Sequence, residues 1–315
     1  PWGRVYEGGQ EANNTGITAL PMLIDLPPPT DLQVDGITVP ANATSGQQVT
    51  LHWVVSNHGN VPATGLWADS AYLSADAVWD LGDRLIGTVE GVRARNLKPG
   101  QSYTATLAAT LPTVLPGTYR VIVRTDIFDD VNEGPNNANN KAASLDAVLI
   151  TVPELAVGVP LRDSLPGGQE RLYAVTVPAG ETLEITLDGG SGAAELYARL
   201  GALPSSIYYD AAYEGQLAAD QVIRIPTTSA GTYYVLARST SGPASNPITL
   251  KARFVPFGIT DVTPDAGGDG RYVHVTIRGA RFAPSAIVKL IRPQFAEYEP
   301  VNYRVVDATR NVAVF

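Results

Sequence analysis

The sequence predicts an all-β protein: tandem immunoglobulin-like or jelly-roll-like β-sandwich domains in an elongated array. Three observations carry this. Short runs alternate apolar and polar residues with a period of two. The 30 glycines and 24 prolines are spread along all 315 residues and punctuate those runs with turns. Hydrophobic residues make up 44% and charged residues 17%, a composition that folds rather than staying disordered.

Taken in order, Val49, Leu51, Trp53 and Val55 alternate with Thr50, His52 and Val54. Tyr103, Ala105 and Leu107 repeat the pattern, as do Tyr119, Val121 and Val123 after the turn at Pro116-Gly117. A second set holds Tyr173, Val175 and Val177, the turn Pro178-Ala179-Gly180, then Leu183, Ile185 and Leu187. Ile223 and Ile225, Tyr233 and Val235, and Leu250, Ala252 and Phe254 complete it. A third set opens at Ile259 and runs through Val273, Val275, Ile277, Val288 and Leu290.

An internal repeat divides the chain. At a constant offset of 126 residues, Val5, Glu7, Gly8, Ala12, Asn13, Asn14, Leu23, Ile24 and Pro27 match Val131, Glu133, Gly134, Ala138, Asn139, Asn140, Leu149, Ile150 and Pro153. That offset exceeds solenoid periods and fits a whole domain. Residues 1–30 are expected to be the C-terminal end of a preceding copy, and Pro1 to lie inside a longer chain. Residues 31–153 form the next copy, 154–256 a second sandwich, and 257–315 a partial third. The junctions Leu26-Pro27-Pro28-Pro29, Val152-Pro153-Glu154 and Val255-Pro256-Phe257 are short and proline-bearing, hence stiff.

Three segments resemble known families. Asp31-Leu32-Gln33-Val34, Trp53 through Gly59, Asp69 through Ser74 with Asp76, Gly117-Thr118-Tyr119, and Asp126 through Glu133 ending in Asn139-Asn140 resemble CARDB, the cell-adhesion-related domain found in bacteria. Glu170-Arg171-Leu172-Tyr173, Pro178 through Glu181, Leu196 through Arg199 and Ala230 through Tyr234 look like the bacterial pre-peptidase C-terminal domain, PPC. Ile259 through Pro264 and Ile277 through Phe282 are similar to TIG (IPT) immunoglobulin-like domains, without that family's glycine-rich end. The resemblances imply sandwich folds and extracellular or cell-surface use in adhesins, giant surface proteins and secreted hydrolases. They do not imply catalysis.

The chemistry-bearing residues are mostly acidic. Asp69, Asp76, Asp80 and Asp83 fall within fifteen residues. Asp126, Asp129, Asp130 and Glu133 form a second group, followed by Asn136, Asn137, Asn139 and Asn140. Crowded carboxylates repel unless a cation or arginine neutralises them, with Arg84 and Arg124 nearest. One reading is a Ca²⁺ site built from Asp69, Asp76, Asp80, Asp83, Asp126, Asp129, Glu133, Asn137, Asn139 and Asn140, since Ca²⁺ takes about six to eight oxygen ligands. The other is solvated loop carboxylates, with asparagines capping turns. The run Ile207-Tyr208-Tyr209-Asp210 with Tyr213 either packs a sandwich edge as a strand or stacks on a sugar or collagen-like ligand.

Other function classes are disfavoured. The net charge of −9 and the lack of a basic stripe argue against nucleic acid. No cysteine is present, so disulfides, thiolate metal sites and cysteine nucleophiles are excluded. Gly189 through Ala193 misses the last glycine of a nucleophile elbow, and no His-Glu-x-x-His helix or phosphate-cradling glycine loop occurs. No stretch of ~18 apolar residues predicts a membrane span. The expected role is a non-catalytic stalk or fibre segment at the bacterial cell surface or outside the cell. Its partners would be neighbouring domains of the same chain, further copies of itself, or an extracellular protein or glycan. An accessory region of a secreted hydrolase and a carbohydrate- or protein-binding module are the alternatives.

Overall fold

A computed structural model describes residues 8–10, 16–22, 28–92, 96–268, 272–292, 294 and 296–315. Of the upstream repeat residues only Gly8 is among them; Val5, Glu7, Ala12, Asn13, Asn14, Leu23, Ile24 and Pro27 lie outside.

The first unit contains β1 (Leu32–Thr38), β2 (Asn42–Thr44), β3 (Gln48–Asn57), β4 (Trp67–Ser74), β5 (Arg84–Val92), β6 (Ser102–Thr110), β7 (Gly117–Arg124), β8 (Lys141–Ala143) and β9 (Val148–Thr151). A three-stranded sheet, β1-β3-β6, faces a six-stranded one ordered β2-β9-β7-β4-β5, with β8 also paired to β7. The alternation in β3 does what its sequence predicts. Val49, Leu51, Trp53 and Val55 enter the core, while Thr50 and His52 face solvent. They meet Leu73, Val121, Val123, Val148 and Ile150 from the facing sheet in one apolar cluster.

The second unit contains β10 (Leu161–Ser164), β11 (Glu170–Val177), β12 (Leu183–Gly189), β13 (Ala193–Leu200), β14 (Ala211–Ala212), β15 (Gln221–Ile225), β16 (Gly231–Ser241) and β17 (Pro247–Phe254). Two four-stranded antiparallel sheets, β10-β17-β12-β15 and β11-β16-β13-β14, close over Tyr173, Val175, Leu183, Ile185, Leu187, Leu196, Ile223, Val235 and Leu250. Ile207-Tyr208-Tyr209 lies in the connection from β13 to β14, in a loop rather than the edge strand its composition suggested.

The third unit is thinner. Strands β18 (Gly258–Thr263), β19 (His274–Ala280), β20 (Leu290–Arg292), β21 (Ala296–Tyr298), β22 (Asn302–Asp307) and β23 (Arg310–Val314) form one sheet, β18-β19-β23-β22, and a separate hairpin, β20-β21. Its core is Ile277, Phe282, Val288 and Ala313. A groove of about 800 Å³, lined by residues such as Phe257, Ile259, Ile287 and Ile291, lies between sheet and hairpin. Leu290, expected inside, is exposed there.

The turn after β3 shows why Asn57-His58-Gly59 has its composition. Asn57 is fully buried, donates from Nδ2 to the Val61 and Leu97 carbonyls at 2.8 Å each, and accepts from the Gly59 N–H at 2.9 Å. A Cβ on Gly59 would sit 2.9 Å from the Asp31 nitrogen, which is immovable backbone. Gly59→Ala is therefore expected to lower stability by about 1–3 kcal/mol, measured as a shift in denaturant midpoint at unchanged slope.

Candidate functional site

Folding leaves Asp76, Asp80 and Asp83 apart from Asp69 but brings Asp126 beside it, with the Asp126 backbone N–H donating to the Asp69 carboxylate. Asp69, in β4, is fully buried between the two sheets of the first unit. Trp53 Nε1–H donates to its Oδ2 at 2.8 Å, the Tyr103 hydroxyl donates to the same oxygen at 2.8 Å, and Thr125 Oγ1 donates to Oδ1 at 2.8 Å. Trp67 Nε1–H in turn donates to the Tyr103 hydroxyl at 2.9 Å. Because Trp53 and Tyr103 belong to one sheet and Asp69 to the other, this carboxylate ties the layers together. Burial pushes it above its ordinary value of 3.8, and the donors oppose that shift without cancelling it.

Asp76, Asp80 and Asp83 lie in the exposed loop after β4, away from Asp69's surroundings, and shape that loop. Asp76 accepts from the Val78 N–H at 2.7 Å, Asp80 from the Gly82 N–H at 2.6 Å, and Asp83 from the Asp80 N–H at 3.0 Å. Arg124, a candidate neutraliser, lies over the Trp79 ring instead, 4.0 Å from its centroid.

The second group works as a clasp. Asp126 and Asp129 adopt left-handed backbone conformations, with φ of 45° and 60°. Asp126 accepts from the Asp130 and Val131 N–H groups at 2.9 and 3.0 Å, and Asn137 Nδ2 donates to Asp129 Oδ1 at 2.5 Å. Glu133 is fully buried and accepts from the Leu32 N–H and from Asn140 Nδ2. Asn139 Nδ2 reaches Asp31 Oδ1 at 2.9 Å, and Asn136 Nδ2 the Thr30 carbonyl at 3.0 Å. The start of the unit is thereby fastened to its end. Burial raises both Glu133 and Asp126, and neighbouring carboxylates raise them further, against the N–H donors that hold them. Among the described residues, no three or more Asp, Glu or His side chains gather into a metal-holding group. The partners these carboxylates have are protein donors.

With the Asn57–Gly59 turn, the Asp69 tie and the Glu133–Asn140 clasp in place, the first unit can be set beside known proteins. Residues 29–144 match the CARDB family model. Residues 169–239 match the model for the bacterial pre-peptidase C-terminal domain, PPC. Among solved structures, the CARDB domain of the PF1109 protein from Pyrococcus furiosus, crystallised with di-metal ions, is 21% identical. That match covers 40% of this chain and 97% of the other, with a TM-score of 0.29. The pre-peptidase C-terminal domain of a Bacillus anthracis collagenase is 14% identical over 32% of this chain and 94% of its own, with a TM-score of 0.27. Comparison with curated proteins gives no match. CARDB and PPC are non-catalytic domains typical of extracellular or secreted bacterial proteins. Among the described residues, no helix is long and apolar enough to cross a membrane.

The PPC unit carries a charged cluster that sequence reasoning missed. Glu184, buried in β12, accepts from Arg224 Nε at 2.7 Å and from Arg253 Nε at 2.7 Å. Strand register places Arg224 of β15 and Arg253 of β17 directly opposite it. Burial alone raises Glu184, but the two guanidiniums outweigh it and hold the carboxyl below 4.5. The signal was an acid and two bases on adjacent strands, legible only once register is known.

These opposite shifts give two predictions. Asp69→Ala removes the acceptor of the Trp53, Tyr103, Thr125 and Asp126 donors and is expected to cost on the order of 3 kcal/mol or more, read from chemical denaturation. For pH the signs run in opposite directions. A carboxyl raised in the folded state loses stability as pH climbs above 3.8 through its folded value. Glu184 adds stability above pH 4.5 and forfeits it below. Between pH 6.5 and pH 4, melting of Asp69→Asn is expected to lack a gain on acidification that the parent chain has. Glu184→Gln is expected to lack a loss. Parallel pH profiles for all three proteins would contradict both assignments.

Proposed function

We propose that the chain is a non-catalytic, stiffly jointed spacer within a large bacterial extracellular or cell-surface protein, holding other parts at a fixed separation and orientation. The observation that carries this reading is the seam between the CARDB and PPC units. Leu172, Tyr197 and Leu236 lie on the outer face of a PPC sheet, where side chains are normally polar, and are buried. Leu115 and Val152 of the CARDB unit pack against them. Thr113 Oγ1 donates to Glu170 Oε2 and Arg171 Nη1 to the Gly46 carbonyl, each at 2.8 Å.

The connecting segment is itself hydrogen-bonded. The Ala174 N–H donates to the Pro153 carbonyl at 3.0 Å and the Leu155 N–H to the Ala174 carbonyl at 2.7 Å. Burying a large apolar side chain contributes about 1.5–3 kcal/mol, and each surface hydrogen bond roughly 1 kcal/mol. The apolar strip therefore dominates the joint. At the next junction, Arg281 pairs with Glu181 at 3.2 Å and donates its N–H to Thr182 Oγ1 at 3.2 Å. A TIG-like third unit at that position continues the spacer.

The test is to unlock the seam. Leu115→Asp combined with Arg171→Ala is expected to broaden the small-angle scattering distance distribution and to separate the melting of the two units. A scattering profile and a melt identical to the parent chain would remove the basis for a stiff spacer.

A further inference from the structure

The loop between β13 and β14 has a feature that a spacer does not require. Ile207, Tyr208 and Tyr209 are 75%, 62% and 47% exposed. A connection of this length made of glycine and serine would leave no such apolar surface in water. The same loop turns Leu203 inward against the seam, so it can bury apolar residues and does so elsewhere.

The exposed rings are held in place rather than loosely displayed. Asp210 Oδ2 accepts from the Leu200 N–H at 2.7 Å, and the Asp210 N–H donates to the Ala198 carbonyl at 2.8 Å. Within the loop, the Ser205 N–H donates to the Tyr208 carbonyl at 2.9 Å, and the Tyr208 N–H to Ser205 Oγ at 3.1 Å. Tyr209 leans on Tyr197 with centroids 5.7 Å apart, and Tyr213 meets Tyr197 edge-on at 5.8 Å. The Arg199 guanidinium stands 5.8 Å from the Tyr208 ring. Tyr197 and Arg199 project from the same side of β13, since they are two residues apart, so the aromatic groups share one face.

We propose that Tyr208, Tyr209 and Ile207, with Arg199 beside them, form a carbohydrate-binding platform at the edge of the PPC unit. Three physical points select that ligand. The platform is small: side chains of this size at these exposures offer on the order of 300 Å². A standard protein partner covers about 800 Å², whereas the face of one or two sugar rings fits. Phenol rings pair an apolar face with a hydroxyl that donates and accepts. That matches a pyranose, whose axial C–H groups make one flat apolar face and whose equatorial hydroxyls ring its rim. Finally, rings fixed before binding lose little freedom on complex formation, which matters most for a weak, shallow contact.

Tyr209 rests on the seam residue Tyr197, whereas Tyr208 and Arg199 are not among the seam contacts that carry the spacer reading, so varying these two tests sugar binding without unlocking the seam. The experiment is native affinity electrophoresis of the whole chain in gels containing cellulose oligomers, soluble chitin, xylan or mannan, with a (Gly-Pro-Pro)₁₀ peptide gel as the protein arm. Retardation by at least one polysaccharide is expected, falling at least tenfold in apparent affinity for Tyr208→Ala and partly for Arg199→Ala, with melting temperatures unchanged. Unretarded migration in all four polysaccharides overturns the proposal, as does retardation that survives Tyr208→Ala. Retardation in the peptide gel alone would overturn it in favour of a protein ligand.

Discussion

A strip of apolar side chains on the outside of a sandwich has to be covered, and covering it organises the first two units. Leu172, Tyr197 and Leu236 face away from the PPC core, which is filled by their strand neighbours such as Tyr173, Leu196 and Val235. Leu203, Ala212, Tyr213 and Tyr234 of the same unit cover part of this strip, and the remainder would stand in water in an isolated unit. Leu115 and Val152 shield it, and once these contacts form, Thr113, Glu170, Arg171 and Gly46 fall within hydrogen-bonding reach. The polar contacts then select one orientation among those that would hide the apolar strip. Gly46 is needed for this approach: a Cβ there would lie 2.8 Å from the Glu170 carbonyl oxygen, and its φ of +76° already favours glycine.

Inside the units, charge is handled by local pairing. The CARDB unit surrounds Asp69, Asp126 and Glu133 with Trp, Tyr, Thr, Asn and backbone donors, and burial keeps these carboxyls easy to protonate. The PPC unit instead places two arginines opposite Glu184, so that carboxyl resists protonation. Both arrangements link strands that are far apart in sequence. In the CARDB unit the clasp joins Leu32 to Glu133, and in the PPC unit Glu184 bridges three strands.

Much of the fold was readable from alternation. The core faces of β3, β12 and β17 follow the period-two pattern because each has one apolar side turned inward, while in β7 Val121, Ile122 and Val123 are all buried. β4 breaks the pattern, being buried along nearly its whole length, so nothing in its spacing showed that Asp69 points into the core. The crowding of carboxylates was visible, but the hydrogen-bond donors were not, because they come from residues as distant as Trp53 and Leu32. The repeat did mark three of the clasp side chains, since Glu133, Asn139 and Asn140 recur in register as Glu7, Asn13 and Asn14. The seam was hidden for a different reason. Leu172, Tyr197 and Leu236 sit in well-formed strands, and only their phase relative to the core separates an outward residue from an inward one. Ile207-Tyr208-Tyr209 looked like a strand by composition, yet Pro204-Ser205-Ser206 just before it supplies turn-forming residues.

Because the chain has no cysteine, a pair of spin labels can be placed without background. Thr50 and Val222 are exposed, one on each side of the seam. Pulsed electron–electron distance measurement on Thr50→Cys/Val222→Cys tests the stiff joint directly. A single narrow distance peak, unchanged between low and high salt because apolar contacts hold the seam, is the expected result. A broad distribution spanning tens of ångströms would contradict the account.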